Sequence, residues 1–205
     1  MNTQRLTQIT VGIIAIAILA FIVVNRFSNN AAAEFDLTGQ PVSGNPEALV
    51  KVAMFEDFLC PHCAQFTEGI LPQVKSEFAG NDDVAFFYVN FPVMPGSNGA
   101  AAVAECVYQQ SNEAFWEVYP VFMRSQQQIT TRDAALELAA EYGPGLDREQ
   151  LATCAADPAT LDLIEADGAI ATSAGATGTP AIFVNGQLVT TSAAAISDAI
   201  RAELP

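Results

Sequence analysis

The sequence predicts an α/β domain in the order β-α-β, helical insertion, β-β-α, carried behind an N-terminal transmembrane helix. Three observations make that prediction. Two apolar, strand-like runs, Val50–Phe55 and Val84–Val89, flank a segment whose apolar positions recur at helical spacing. The dipeptide Asn185-Gly186 sits between two further apolar stretches, Ala181–Val184 and Leu188–Thr191. An uncharged apolar segment of membrane-spanning length opens the chain.

That first segment, Ile9–Val24, is apolar apart from Thr10, with Arg5 before it and Arg26 after it. At about 1.5 Å per residue, residues 6–25 nearly span a hydrocarbon core of about 30 Å. We assign 1–8 to a short cytoplasmic tail and 9–25 to a single-pass anchor in the cell membrane. The alternative for 9–25 is a cleavable signal peptide, for which Ala31-Ala32-Ala33 offers a small-residue site. The run is long for a signal peptide, and Arg26 follows it as at a membrane border. Either reading places the catalytic domain outside the cytoplasm, on the periplasmic or extracellular side. Residues 26–45, rich in Asn, Ala, Gly and Ser, read as a linker, so the folded domain is expected over 46–205. All 23 acidic residues lie beyond the anchor, starting with Glu34, against six basic ones. Such an excess excludes nucleic acid and anionic lipid surfaces as partners.

Within the domain, Val50–Phe55 is the first strand. From Cys63 the positions Phe66, Ile70, Val74 and Phe78 mark one helix face, with Pro72 expected to kink it. Val84–Val89 is nearly continuous apolar sequence, as in a strand covered on both faces. From about 97 to 175 the pattern is helical and Ala-rich, with breaks expected at Pro120, Gly143-Pro144-Gly145 and Asp157-Pro158. Asn-Gly between apolar stretches then signals a two-residue hairpin. Ala193–Glu203 closes the domain as a helix. No repeat is present, and a monomer is expected.

Chemistry is concentrated in Cys60-Pro61-His62-Cys63. Two cysteines two residues apart, set after a strand and at a helix start, can alternate between dithiol and disulfide. The unpaired N–H groups and macrodipole of a helix start favour negative charge there, and His62 adds a donor. Cys60 is therefore expected to be the nucleophile and Cys63 the partner that resolves its mixed disulfides. The plainer alternatives are a structural disulfide or part of a zinc site. Zinc needs four ligands, and His62 is the chain's one histidine. Cys106 and Cys154 lie in the insertion at unsuitable spacing, so neither a metal nor another cofactor is expected.

The element order, with Cys-x-x-Cys after the first strand and Thr179-Pro180 before the hairpin, resembles the thioredoxin-like fold. The insertion and the Pro61-His62 dipeptide are similar to the DsbA-like thiol:disulfide oxidoreductases. Residues 55–63 (Phe-Glu-Asp-Phe-Leu-Cys-Pro-His-Cys) and 178–186 (Gly-Thr-Pro-Ala-Ile-Phe-Val-Asn-Gly) resemble the membrane-anchored, BdbD-like branch. The likeness runs from about residue 46 to the end. It implies Pro180 as a cis-proline facing the disulfide and Thr179 as a backbone contact for an extended client chain. It also implies unfolded exported proteins with free thiols as clients, and a quinone-linked membrane reoxidase of the DsbB or vitamin K epoxide reductase type. The expected activity is that of a dithiol oxidase. Alternatives are an exported disulfide reductase or a holdase whose disulfide is only structural.

One departure from that pattern stands out. Thioredoxin- and DsbA-like chains usually bury an acid six positions before the first motif cysteine, where this chain has Met54. Proton transfer at Cys63 is then expected to rely on water or on a neighbouring carboxylate. Glu56 shares strand parity with Met54; Asp57 does not. With Cys60 and Cys63 taken as the redox pair, Cys106 and Cys154 remain to pair in an oxidising compartment, as the resemblance also implies. Two buried free thiols are the alternative. Phe115, Trp116, Tyr119 and Phe122 are expected to pack the insertion's core. Phe58 and Leu59 are expected to form an exposed apolar rim around the disulfide.

Overall fold

Alternation along β2 (Val50–Glu56) sends Val50, Val52, Met54 and Glu56 to one face of a sheet and Ala53 and Phe55 to the other, and all six are buried. The computed structural model describes Ile18, Ala33 and residues 36–205, and Ala33–Pro205 forms one compact unit. Apart from Ile18, the anchor and cytoplasmic tail expected over 1–25 lie outside the described residues. Among the described residues, no helix is long and apolar enough to cross a membrane.

The sheet runs β1-β3-β2-β4-β5, with β1 at Val42–Ser43, β3 at Val84–Asn90, β4 at Ala181–Val184 and β5 at Gln187–Val189. β2 and β3 are parallel and the other pairs antiparallel, so Met54 lies between Tyr88 and Ile182. The hairpin is the expected one. Asn185 and Gly186 have φ of 44° and 78°, the positive pair that a two-residue turn demands. Asn185 also exchanges bonds with Lys51, fastening the turn to the start of β2.

Part of the expected linker belongs to the domain. β1 pairs with β3, the Pro41 carbonyl accepts from Tyr88 N–H at 3.0 Å, and Asn112 holds both the N–H and the C=O of Val42. A two-residue edge strand has too little alternation to be read from composition.

The helix after the motif comes in three pieces: α1 (Pro61–Gln65), a π-helical turn (Phe66–Ile70) and α2 (Leu71–Glu77). Leu71 N–H bonds five residues back to Phe66 C=O. The ladder thus widens just before Pro72, which has no N–H to continue it.

Five helices, α3 (Asn98–Gln110), α4 (Asn112–Arg124), α5 (Arg132–Tyr142), α6 (Arg148–Ala156) and α7 (Pro158–Ser173), fill the stretch between β3 and β4, and α8 (Ala193–Glu203) follows β5. Helix starts are set by side-chain caps: Ser111, Thr131, Asp147 and Asp157 each accept an N–H of the first turn. The expected break at Pro120 does not occur, since α4 runs through it. Its neighbours Tyr119, Val121 and Phe122 are buried, and that packing outweighs the lost backbone bond. The break falls instead at Ser111, between α3 and α4.

Cys106 on α3 and Cys154 on α6 are joined, with Cα atoms 5.9 Å apart. Phe115, Tyr119 and Phe122 are buried, with Trp116 packed against them. Phe58 is buried as well, contrary to the expected rim. Its ring stacks on Tyr88 at 5.1 Å and meets the edges of Phe122 and Tyr119. It keys the β2 end of the sheet into the insertion. Leu59 is half-buried.

Candidate active site

β2 ends in two buried carboxylates, and Asp57 organises the bend that follows. Its Oδ1 accepts from Leu59 N–H at 2.7 Å, while Oδ2 accepts from Val93 and Met94 N–H at 2.7 and 2.6 Å. Its own carbonyl accepts from Cys60 N–H. One side chain thus ties the motif's approach to the loop after β3. Val93 and Met94 are themselves exposed.

Cys60 caps the helix start and Pro61 follows at a position where no N–H is needed. Cys63 and Ala64 N–H return to the Cys60 carbonyl, which also accepts from Gln126 Nε2 at 2.8 Å. Pro61 and His62 are exposed, Cys60 is 5% exposed and Cys63 is fully buried. Both cysteines are thiols. Cys60 Sγ donates to the Thr179 carbonyl at 3.4 Å, and the Thr179-Pro180 peptide is cis. The four motif residues and Thr179-Pro180 therefore meet at one place, while Cys106 and Cys154 lie elsewhere, in the insertion. Because those two are bonded to each other, they have no thiolates to share with Cys60 and Cys63 around a metal. Among the described residues, no group of three or more His, Cys, Asp or Glu is placed to hold one.

Behind Cys60, the electrostatics belong to Cys63 and Glu56. Burial pushes the Cys63 thiol well up, and Glu56 adds to it. Asp57 N–H, donating to Sγ at 3.5 Å, pulls the other way. The Thr179 hydroxyl also favours the thiolate and is the weakest of these influences. Burial also raises Glu56 to about 8, against the O–H groups of Tyr119 and Thr67 and the Cys63 thiol, which favour its charged form. Tyr119 O–H donates to Glu56 Oε1 at 2.6 Å and accepts the Thr67 O–H at 2.7 Å, with Thr67 Oγ1 lying 3.5 Å from Oε2. Two features were beyond the sequence. Gln126 lies 66 residues from Cys60, in a polar stretch with no motif. The bonding of Asp57 to the loop at 93–94 has only its adjacency to the motif as a signal.

A family model described as thioredoxin matches residues 36–202. A "Probable disulfide bond formation protein D" from Bacillus cereus is 28% identical over 197 residues, covering 94% of this chain and 91% of the relative. Among solved structures, oxidised BdbD from Bacillus subtilis matches with a TM-score of 0.76 at 26% identity, over 85% of this chain and 97% of that one. DsbA from Chlamydia trachomatis matches with a TM-score of 0.68 at 20% identity, over 84% and 89%. At that identity the likeness is one of fold.

Proposed function

The chain belongs to the thioredoxin family, and we propose that it is an exported, membrane-anchored dithiol oxidase that introduces disulfides into proteins outside the cytoplasm. The relative it matches over nearly its whole length is named a "Probable disulfide bond formation protein D", and the chain is a thiol:disulfide oxidoreductase. The observation that carries the reading is the asymmetry of the pair. Cys60 lies at the rim against the Thr179 carbonyl, with Cys63 sealed behind it.

In the oxidised enzyme, a client thiolate attacks Cys60 Sγ, and Cys63 leaves as a thiolate. A second client thiolate then attacks the client sulfur of the mixed disulfide, and Cys60 leaves, which completes the client's disulfide and the enzyme's dithiol. His62 stands exposed at the same helix start. A cleft bounded by Gly178, Thr179, Pro180, Leu188 and Thr190 shares Thr179 with the Cys60 contact and offers a place for an extended client segment, held by main-chain bonds that tolerate many sequences. Reoxidation falls to a quinone-linked membrane protein of the DsbB or vitamin K epoxide reductase type, and the anchor at 9–25 keeps the two in one plane. The enzyme works as a monomer.

The test is the reduction potential of the Cys60–Cys63 pair in the full chain. It is read by alkylation and peptide mass after equilibration in glutathione buffers. A value above about −180 mV is expected, against roughly −270 mV for thioredoxin. A value near or below the latter reverses the electron flow and replaces the oxidase by an exported reductase.

A further inference from the structure

Asp57, the residue that follows β2, uses every polar group it has on the redox loop or on the loop after β3. Its N–H donates to Cys63 Sγ at 3.5 Å, and its carbonyl accepts from Cys60 N–H at 3.0 Å. Its Oδ1 accepts from Leu59 N–H, and its Oδ2 accepts from Val93 and Met94 N–H. We propose that Asp57 is the positioning residue of the leaving sulfur: its carboxylate clamps the loop after β3 and so holds the 56–57 peptide N–H on Cys63 Sγ. The inference rests on the exchange reading of the Cys60–Cys63 pair. It adds to that reading the group that meets the charge when the pair opens.

A turn alone does not account for this arrangement. An Asp at a bend commonly bonds the N–H two residues on, as Oδ1 does with Leu59. That bond leaves Oδ2 and the N–H unexplained. Oδ2 takes two neighbouring N–H groups from 36 and 37 residues away, both on exposed residues. Asp57 itself is 1% exposed, and among the described residues no cation pairs with it. Three main-chain donors stand in for water around its oxygens, as burial of such a group requires. The same loop holds the peptide unit from its other end, because Phe91 N–H donates to the Glu56 carbonyl at 2.8 Å. That carbonyl and the N–H on Cys63 belong to one planar group, so the 91–94 segment fixes the direction of the donor. Accepting a bond at its oxygen also polarises the unit and strengthens its N–H as a donor.

The need for such a donor arises from where Cys63 sits. It is fully buried, and burial disfavours charge on its sulfur. When a client thiolate forms its bond to Cys60 Sγ, the Cys60–Cys63 bond breaks and Cys63 Sγ leaves with the electron pair. The client sulfur is oxidised to the mixed disulfide, Cys63 is reduced to the thiolate, and no proton moves in the step. Negative charge thus develops on a sulfur removed from water. An N–H already aimed at that atom stabilises the charge in the transition state without reorganising. As a bare charge the Asp57 carboxylate opposes this thiolate; as a clamp on the donor it favours it. The two roles have opposite signs and can be told apart.

The test compares the full native chain with Asp57→Asn, which removes the charge and replaces one acceptor oxygen by a donor. Two rates are followed. In the opening of the oxidised pair by a reduced peptide, Cys63 leaves; in the alkylation of Cys60 by iodoacetamide in the dithiol, it does not. Opening is expected to slow by about ten-fold while alkylation stays within about two-fold of native. Faster opening would give Asp57 an electrostatic role and overturn the proposal. An equal fall in both rates would make it a general support of the loop and overturn the proposal too, as would no change in either. Asp57→Glu keeps the charge but not the reach, so it is expected to slow opening as well, and a native rate counts against the clamp. Should neither variant fold, the amide protons of the native chain carry the test by NMR. Slow exchange at Val93 and Met94, with a downfield move of the Asp57 resonance when a small thiol opens the pair and stays on Cys60, supports the proposal. Exchange at open-loop rates, or a resonance that stays or moves upfield, overturns it. A native chain whose Cys60–Cys63 pair is opened by no thiol would instead sink the underlying enzyme reading.

Discussion

The two cysteine pairs of this chain use the same bond for different ends. Cys106 and Cys154 are 48 residues apart in sequence and join α3 to α6, with the Thr160 hydroxyl near both sulfurs at 3.8–3.9 Å and the Gln109 amide oxygen 3.5 Å from Cys154 Sγ. Cys60 and Cys63 are separated by two residues and surrounded by a main-chain carbonyl, an N–H, a buried carboxyl group and a cis peptide bond. Closing a long loop removes chain freedom from the unfolded state, whereas closing two residues removes little. The long-range pair is thereby suited to holding structure, and the local pair to storing and releasing two electrons. Sequence separation and the polarity of the surroundings decide the role.

Removing the nucleophile is the most severe test of that contrast. Cys60→Ala is expected to lower thiol exchange by at least about a thousand-fold while changing unfolding free energy by less than about 1 kcal/mol. Turnover with a reduced peptide and chemical denaturation read the two. Retained turnover would sink the enzyme reading. Retained suppression of client aggregation alongside lost turnover would instead expose a holdase activity.

The mirror-image variant, Cys106→Ala with Cys154→Ala, is expected to do the reverse. The chain-entropy value of a loop of this length is roughly 4 kcal/mol, and about 2–4 kcal/mol of stability should be lost. The Cys60–Cys63 potential should stay in place, because among the described residues the side-chain bonds of the insertion disulfide go to Thr160 and Gln109 and none to the motif. A potential that moved with the melting temperature would show that the pairs are not independent.

How much of this contrast was legible in the sequence depended on how local its causes are. The motif, the Asn185-Gly186 turn and the two core strands follow from near-neighbour chemistry, and all were readable. Thr179-Pro180 was placed by resemblance, and the structure brings it against Cys60. Phe58 was misjudged because its burial is caused by Tyr88, Tyr119 and Phe122, which come from other parts of the chain. Pro120 was misjudged for a related reason, since tertiary packing outweighed a local helix-breaking tendency. Strand parity already set Glu56 on the Met54 face, but nothing in the sequence revealed that Tyr119 and Thr67 would hold it. β1 was missed because two residues carry no period.

Gln126 tests how far the insertion bears on the redox pair. It follows the end of α4, and its Nε2–H bonds the Cys60 carbonyl at 2.8 Å, the same carbonyl that receives the first N–H groups of α1. The side chain is half-buried, so water can replace much of the bond when it is cut. A neutral hydrogen bond of this kind is worth about 1 kcal/mol net. Gln126→Ala is therefore expected to change the exchange rate of Cys60 by no more than about five-fold and to leave the melting temperature nearly in place. Iodoacetamide trapping of Cys60 and a thermal melt measure both. A loss as large as that of Cys60→Ala would mean that the insertion builds the reactive thiol's environment rather than steadying its backbone. The division between a structural and a reactive region would then have to be redrawn with the end of α4 on the reactive side.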